Sequence, residues 1–252
     1  MLAKERQDLI YQLLQKNGAI TAATLVSSLD VSPETIRRDL LSMEKQGLLN
    51  RVHGGAILAG NMMPIISLQQ RNLENNEEKR ELAKKALPFI KEGDIIGIDS
   101  GSTAIFVAEA LKTAFTKLTI VTHSSDVFDI LKNHADFSVI LCGGHYLKNE
   151  NAFCGPLALD LLSRLHMQKS FIFPSSVSLE FGIGNTLQEL HLMQHRMMQN
   201  AENVYILADS SKFEKRALLK LCDMKQEYCY ITDNSLPEEL RKLYTENHYR
   251  LF

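Results

Sequence analysis

Apolar positions along the chain follow two regimes. Over the first 56 residues they recur at helical spacing in short blocks. Leu9, Ile10, Leu13 and Leu14 predict an amphipathic helix from about Lys4 to Lys16, ended by Asn17-Gly18. Thr21 caps a second helix running through about Ser28, with Ala22, Leu25, Val26 and Leu29 on its apolar side. Ser32-Pro33 supplies the N-cap and first helical residue of a third, where proline's missing N–H is not needed. That helix runs to about Gln46, carries Ile36, Leu40 and Met43 as its inner stripe, and stops at Gly47. Leu48 to Val52 and Ala56 to Leu58 then read as a short β pair pinched by Gly54-Gly55. Three short helices followed by a hairpin predict a winged helix-turn-helix.

The pattern weakens from Asn61 to Asn76, where Gln69, Gln70, Asn72, Asn75 and Asn76 accumulate, and a charged helix spans about Glu77 to Ile90. After Gly93, short apolar runs alternate with helical stretches. The runs at 94–98, 118–122, 137–142, 170–173, 203–208 and 228–232 predict strands, and 103–112, 124–133, 156–165 and 187–200 predict helices. Unalternated apolar strands separated by helices imply a mostly parallel sheet covered on both faces, an α/β domain. The expected organisation is a winged helix-turn-helix over 1–58, a linker over 59–76 and an α/β domain over 77–252.

Composition refines this picture. With 45% hydrophobic and 23% charged residues among 252, the chain is globular rather than disordered. Its net charge of −2 excludes a protein that coats nucleic acid through bulk positive charge. That total is unevenly divided: residues 1–60 hold seven Lys/Arg and six Asp/Glu, a net of +1, which leaves −3 for the rest. Within the first part, Arg37, Arg38, Lys45 and Arg51 gather in the third helix and the wing. The N-terminus has no apolar signal core, and no apolar run is long enough to span a bilayer, so a soluble cytoplasmic protein with no membrane partner is expected. Cys142, Cys154, Cys222 and Cys229 lack metal or disulfide spacing and read as reduced thiols.

A helix-turn-helix places its third helix in the major groove. With Ile36, Leu40 and Met43 inward, Ser32, Thr35, Arg37, Arg38 and Ser42 remain for DNA. Arginine can fork onto guanine O6 and N7, while hydroxyls hold phosphate or base edges. Arg51 and His53 of the wing can reach phosphate or the minor groove. A small helical bundle for protein contacts, with Arg37-Arg38-Asp39 as a solvated face, fits the same spacing.

In the second region, polar and glycine residues follow the predicted strands. They are Asp99-Ser100-Gly101-Ser102-Thr103, Thr122-His123-Ser124, Gly143-Gly144, Ser175-Ser176 and Asp209-Ser210-Ser211-Lys212. Ligands of open α/β sheets bind beyond such strand ends. A glycine-containing loop opening a helix suits a phosphate, and Lys212 can act as a point charge. The first loop also fits a simple helix cap, and it is neither a Walker nor a dinucleotide fingerprint.

Arg6, Ile10 and Leu14, then Ser32 and Thr35-Ile36-Arg37-Arg38-Asp39-Leu40, with the wing Arg51-Val52-His53-Gly54-Gly55-Ala56, resemble the DeoR family of bacterial sugar-responsive transcription regulators. Ile98-Asp99-Ser100-Gly101-Ser102-Thr103, Gly143-Gly144 with Gly155, and Leu207-Ala208-Asp209-Ser210-Ser211-Lys212-Phe213 extend the resemblance over nearly the whole chain. It implies a sensor domain similar in fold to ribose-5-phosphate isomerase. Ser100, Gly101, Ser102, Thr103 and Lys212 would hold a sugar phosphate, with Asp99, Thr122, His123, Gly143 and Gly144 around the sugar. It also implies operator DNA as a partner and a homodimer or homotetramer acting as a repressor, with no cofactor. Two departures stand out. Thr122-His123 replaces the family's Thr-Asn, and Phe173-Pro174-Ser175-Ser176-Val177-Ser178 replaces a loop that commonly reads Gly-Ala-Ser-Gly-Ile-Asp.

An isomerase-like enzyme is the competing expectation, since it would share this fold. The isomerases carry an acidic stretch where this chain has serines and only Glu180 follows, so no enzymatic activity is expected. His191 and His195 have metal-ligand spacing on a helix but neither a third ligand nor a glutamate base, and no metal is expected.

Overall fold

A computed structural model describes residues 2–17, 19–52, 54–58, 63 and 66–252. The N-terminal unit consists of α1 (Ala3–Asn17), β1 (Ala19–Thr21), α2 (Ala22–Leu29), α3 (Pro33–Lys45), β2 (Leu49–Val52) and β3 (Gly55–Leu58). Both expected caps form: the Thr21 side chain accepts from Thr24 N and that of Ser32 from Thr35 N. The hairpin gains a third strand that the sequence reading did not anticipate, because β1 pairs antiparallel with β3. Ile10, Leu14, Leu25, Ile36, Leu40, Met43 and Leu49 make its core.

Asp39 is not part of a solvated face. It is buried, accepts from Arg6 Nε and Nη2, and ties α1 to α3 within an otherwise apolar core. Gln7 Nε2 adds a third donor at 3.3 Å.

The stretch expected to be a linker contains α4 (Leu68–Arg71), capped by Ser67 and anchored by buried Leu68. Then come α5 (Asn76–Ala86), β4 (Ile95–Ile98), α6 (Ser102–Ala114), β5 (Thr119–Thr122), α7 (Ser125–Leu131) and β6 (Ser138–Leu141). A short hairpin, β7 (His145–Leu147) and β8 (Ala152–Cys154), leads to α8 (Pro156–Ser163) and β9 (Met167–Ile172). After β10 (Ser176–Ser178), β11 (Gly182–Asn185) and α9 (Gln188–Gln199) come β12 (Ala201–Leu207), β13 (Leu219–Cys222), β14 (Cys229–Ile231), α10 (Glu238–Glu246) and β15 (Arg250–Leu251).

Seven strands form one sheet in the order β15-β14-β12-β9-β4-β5-β6, parallel throughout. All six expected strands are in it. Strand residues alternate between two cores. Ile96, Ile98, Phe171, Tyr205 and Leu207 face α5, α6 and α7. Val121, Ile172, Val204, Ile206 and Tyr230 face α8, α9 and α10. The chain runs from β4 out to β6, then returns to the other side of β4 as β9. Strand order therefore reverses between β4 and β9, the switch point at which loops diverge and leave a crevice.

α10 joins the two units. Its Leu240, Leu243 and Tyr244 share a core with Ile57 of β3, and Thr24 Oγ1 donates to Glu239 Oε2 at 2.7 Å. On the sheet side, the Tyr244 hydroxyl donates to Glu214 Oε1 at 2.5 Å. Glu214 is buried and also accepts from Ser178 Oγ and Leu179 N. Burial raises its carboxyl to about 7, although these donors oppose the shift.

Two outcomes follow from these contacts. Asp39→Asn or Arg6→Met strands a buried charge or its remainder and should cost on the order of 3 kcal/mol of stability by denaturant titration, with the double variant less than additive. Glu214 binds a proton more readily folded than unfolded. Its contribution is therefore complete below pH 4.5 and is lost as pH rises through about 7. The melting temperature of Glu214→Gln should gain on that of the wild type between pH 5 and pH 8; a constant difference would contradict this assignment.

Candidate functional site

Two surfaces collect the residues singled out in the sequence. The first is the exposed side of α3 with the wing. Proline at the first turn and the Ser32 cap aim the helix N-terminus outward. The Ser32 and Thr35 hydroxyls lie 2.9 Å apart within that cap. Arg37 and Arg38 are exposed and share Glu34: Arg37 Nε and Nη2 donate at 2.8 and 2.9 Å, Arg38 Nε at 3.2 Å. The hydrogen bonds and charge of Arg37 pull the Glu34 carboxyl down to about 2, so the cluster keeps a net positive charge with its fork geometry preset. Ser42 accepts from Gln46 Nε2. Arg51 is held by Glu44, to which it donates from both its backbone N and Nε. A groove of about 400 Å³ between α3 and the wing is lined by Pro33, Arg37, Leu40, Arg51 and Val52, among others. His53 lies outside the described residues.

The second surface is a cleft at the switch point. Ser102, Ser175, Asp209, Ser211 and Lys212, from loops after β4, β9 and β12, line it on one side. Arg71, Glu74, Asn75 and Lys79, from α4 and the start of α5, line it on the other. Its free volume is about 80 Å³. Gly101 opens α6 with a φ of +118°, a conformation that L side chains rarely adopt. Its loop carries Ser100 and Thr103, whose buried hydroxyls have no partner among the described residues. Such groups cost free energy unless something accepts or donates to them.

Three cations converge here. Lys212 lies 3.8 Å from Asp209, and burial lowers its pKa. Lys79 Nζ donates to the Arg71 and Glu74 carbonyls and so fastens the α4–α5 turn. Burial first, then the charge of Lys212, brings its pKa down to about 8. Arg71 pairs with the buried Glu150. Like charges in one dehydrated cleft favour an anion.

The remaining sequence-derived residues sit around this cleft rather than on it. Asp99 is wholly buried and accepts from Gln194 Nε2 at 2.7 Å and Phe173 N at 3.0 Å. His123, also buried, has Nε2 3.0 Å from Asp99 Oδ1 and Nδ1 3.0 Å from the Phe153 carbonyl. The residue replacing the family's asparagine is thus consumed within the fold. Thr122 Oγ1 accepts from Ser124 N, turning the chain into α7. Gly144 lets backbones close up, since a Cβ there would lie 2.6 Å from the Cys154 carbonyl. Gly143 likewise lies outside the cleft lining. In the loop after β9, Ser178 donates to Glu214, and Glu180 is paired with Arg216.

Sequence reasoning missed Arg71, Lys79 and Glu150. Lys79 had a visible signal: with Leu82, Ala83 and Ala86 it occupies the inward stripe of α5, the one charge in that register. Arg71 and Glu150 had none, because they meet only through the fold. The four thiols are free. Among the described residues no helix is long and apolar enough to cross a membrane, and no group of three or more His, Cys, Asp or Glu could hold a metal.

Residues 6–61 match the DeoR-like helix-turn-helix domain, and residues 74–234 match the DeoR C terminal sensor domain. The chain is 35% identical to the L-fucose operon activator of Haemophilus influenzae over 243 residues, 96% of each chain. It is 33% identical to the lactose phosphotransferase system repressor of Staphylococcus epidermidis over 242 residues, 95% of each. Among solved structures, a ribose 5 phosphate isomerase A from Neisseria gonorrhoeae is similar over 55% of this chain and 53% of its own, with 24% identity and a TM-score of 0.41. With both domain models matched in order and relatives aligned end to end, the chain belongs to the DeoR family of helix-turn-helix transcription regulators.

Proposed function

We propose that the protein is a repressor of a carbohydrate-metabolism operon, controlled by a phosphorylated sugar bound in the switch-point cleft. The observation that carries the effector class is the cleft itself: Lys212, Lys79 and Arg71 face a glycine-opened helix start with unpartnered hydroxyls. Helix N-termini and clustered cations recognise phosphate in this way. The relatives' names, one an activator of an L-fucose operon and one a repressor of a lactose phosphotransferase system, supply the carbohydrate context.

On the DNA side, Arg37 and Arg38 read base edges, while Ser32, Thr35, Ser42, Arg51 and His53 position the helix and wing on phosphates. One such unit covers too little DNA for selectivity, so a homodimer or homotetramer engages paired half-sites. The loop after β9 argues against isomerase chemistry. Its serines supply no carboxylate, and Glu180 is tied up by Arg216.

Arg37→Ala and Arg38→Ala should each weaken operator binding by about 1–3 kcal/mol in a mobility-shift titration while leaving the melting temperature unchanged. Wild-type affinity in both would overturn the DNA assignment. In calorimetry, a panel of sugars and their phosphates should show binding of phosphates alone, abolished by Lys212→Met. Equal binding of free sugars would refute the effector class.

A further inference from the structure

Arg71 occupies an unusual place. It belongs to α4, in the stretch between the wing and the α/β domain, yet its guanidinium reaches over the loop that opens α6. One terminal nitrogen, Nη1, lies 4.0 Å from where a Cβ on Gly101 would stand. The other, Nη2, pairs with Glu150. Its Nε is buried with no partner among the described residues. The guanidinium therefore has a fork that its carboxylate neighbour leaves partly unused, aimed into a cleft that Lys79 and Lys212 also line.

Glu150 is almost fully buried, with 4% of its side chain exposed. Burial opposes its charge, raising its pKa, and the Arg71 pairing offsets this. The carboxylate holds one charge; a phosphate monoester carries nearly two and has three acceptor oxygens in a geometry that matches the arginine fork. It can also satisfy the Ser100 and Thr103 hydroxyls, which Glu150 leaves without partners.

We propose that Arg71 is the anion-discriminating arm of the sensor, and that the effector's phosphate takes its guanidinium from Glu150, a buried competitor beside the cleft. This rests on the phosphate reading of the cleft. Glu150 sets a threshold, because an anion too weak to displace it does not engage Arg71. Since α4 follows directly on the segment that leaves β3, the residue changing partner belongs to the covalent connection between the DNA-reading unit and the sensor.

The test is calorimetry of the full-length protein with inorganic phosphate and ribose 5-phosphate as probes, on the wild type, Arg71→Met, Arg71→Lys, Glu150→Gln, the Arg71→Met/Glu150→Gln double variant and Lys212→Met. Arg71→Met should weaken binding of the phosphate group about tenfold or more, and Arg71→Lys should restore part of it. Glu150→Gln should tighten binding severalfold, and that gain should vanish in the double variant. Wild-type affinity in Arg71→Met, or a Glu150→Gln gain that persists without Arg71, overturns the proposal while Lys212→Met still tests the cleft. Binding unaffected by Lys212→Met as well, or no binding of either probe to any variant, overturns the phosphate reading and the proposal together.

Discussion

A carboxylate sealed from water at the mouth of a parallel sheet constrains everything around it. Asp99 ends β4 at the switch point with no exposure, and an unpaired charge there would cost several kcal/mol. Its partners come from three other parts of the chain: His123 beyond β5, the Phe173 amide beyond β9, and Gln194 on α9. Gln194 in turn accepts from Asn185 of β11. Satisfying one buried acid therefore aligns the ends of three strands, one helix and the β11 hairpin. The loop from Ser100 to Thr103 is presented from that frame, so its geometry is inherited from Asp99 even though Asp99 does not line the cleft. The buried pair of Arg6 and Asp39 performs the same service in the smaller domain, fixing α1 against the helix that carries Arg37 and Arg38.

This division of labour explains which parts of the molecule were legible in the sequence. Of the six strands visible as apolar runs, the inner ones are largely buried on both faces, where water exclusion demands continuous hydrophobicity, while the edge strand β6 is only partly buried. The strands that escaped notice are short, and several pair antiparallel outside the main sheet, as β10, β11 and β13 do. Gly182-Ile183-Gly184-Asn185 carries no pattern that distinguishes it from a turn. β15 is two residues long and forms only by docking on β14. α10 escaped because just Leu240, Leu243 and Tyr244 of its nine residues face inward.

Site residues divide along the same line. Ser102 and Lys212 could be found because the strand-end rule ties ligand residues to local sequence. His123 and Gly144 obeyed that rule too, yet folding consumed them, one in hydrogen bonds and one in close packing. No local pattern distinguishes a residue that faces a ligand from one that braces its neighbour. Arg71 and Glu150 are 79 positions apart, and only the packing of α4 on the turn after β7 makes them a pair.

Among the described residues two connections join the sensor to the DNA-reading unit, and an effector can act through what differs along them between states. One is covalent, the segment from β3 to α4. The other is α10, whose Glu239 holds Thr24 and whose Leu243 packs beneath the wing. On its inner side α10 is gripped through Tyr244 by Glu214, two residues beyond Lys212 in the loop that lines the cleft. Phe213 between them stacks edge-on against the Tyr244 ring, with centroids 5.2 Å apart. A change in the seat of Lys212 is thus two residues away from the carboxylate that grips the helix packed against the DNA-binding unit. Close-packed interiors transmit such shifts instead of absorbing them. The near-neutral charge of the head adds a further condition. Without a broad basic surface, the proposed DNA contacts make affinity depend on the placement of a few arginines, so a small change in how the head is presented is enough to alter which DNA it holds.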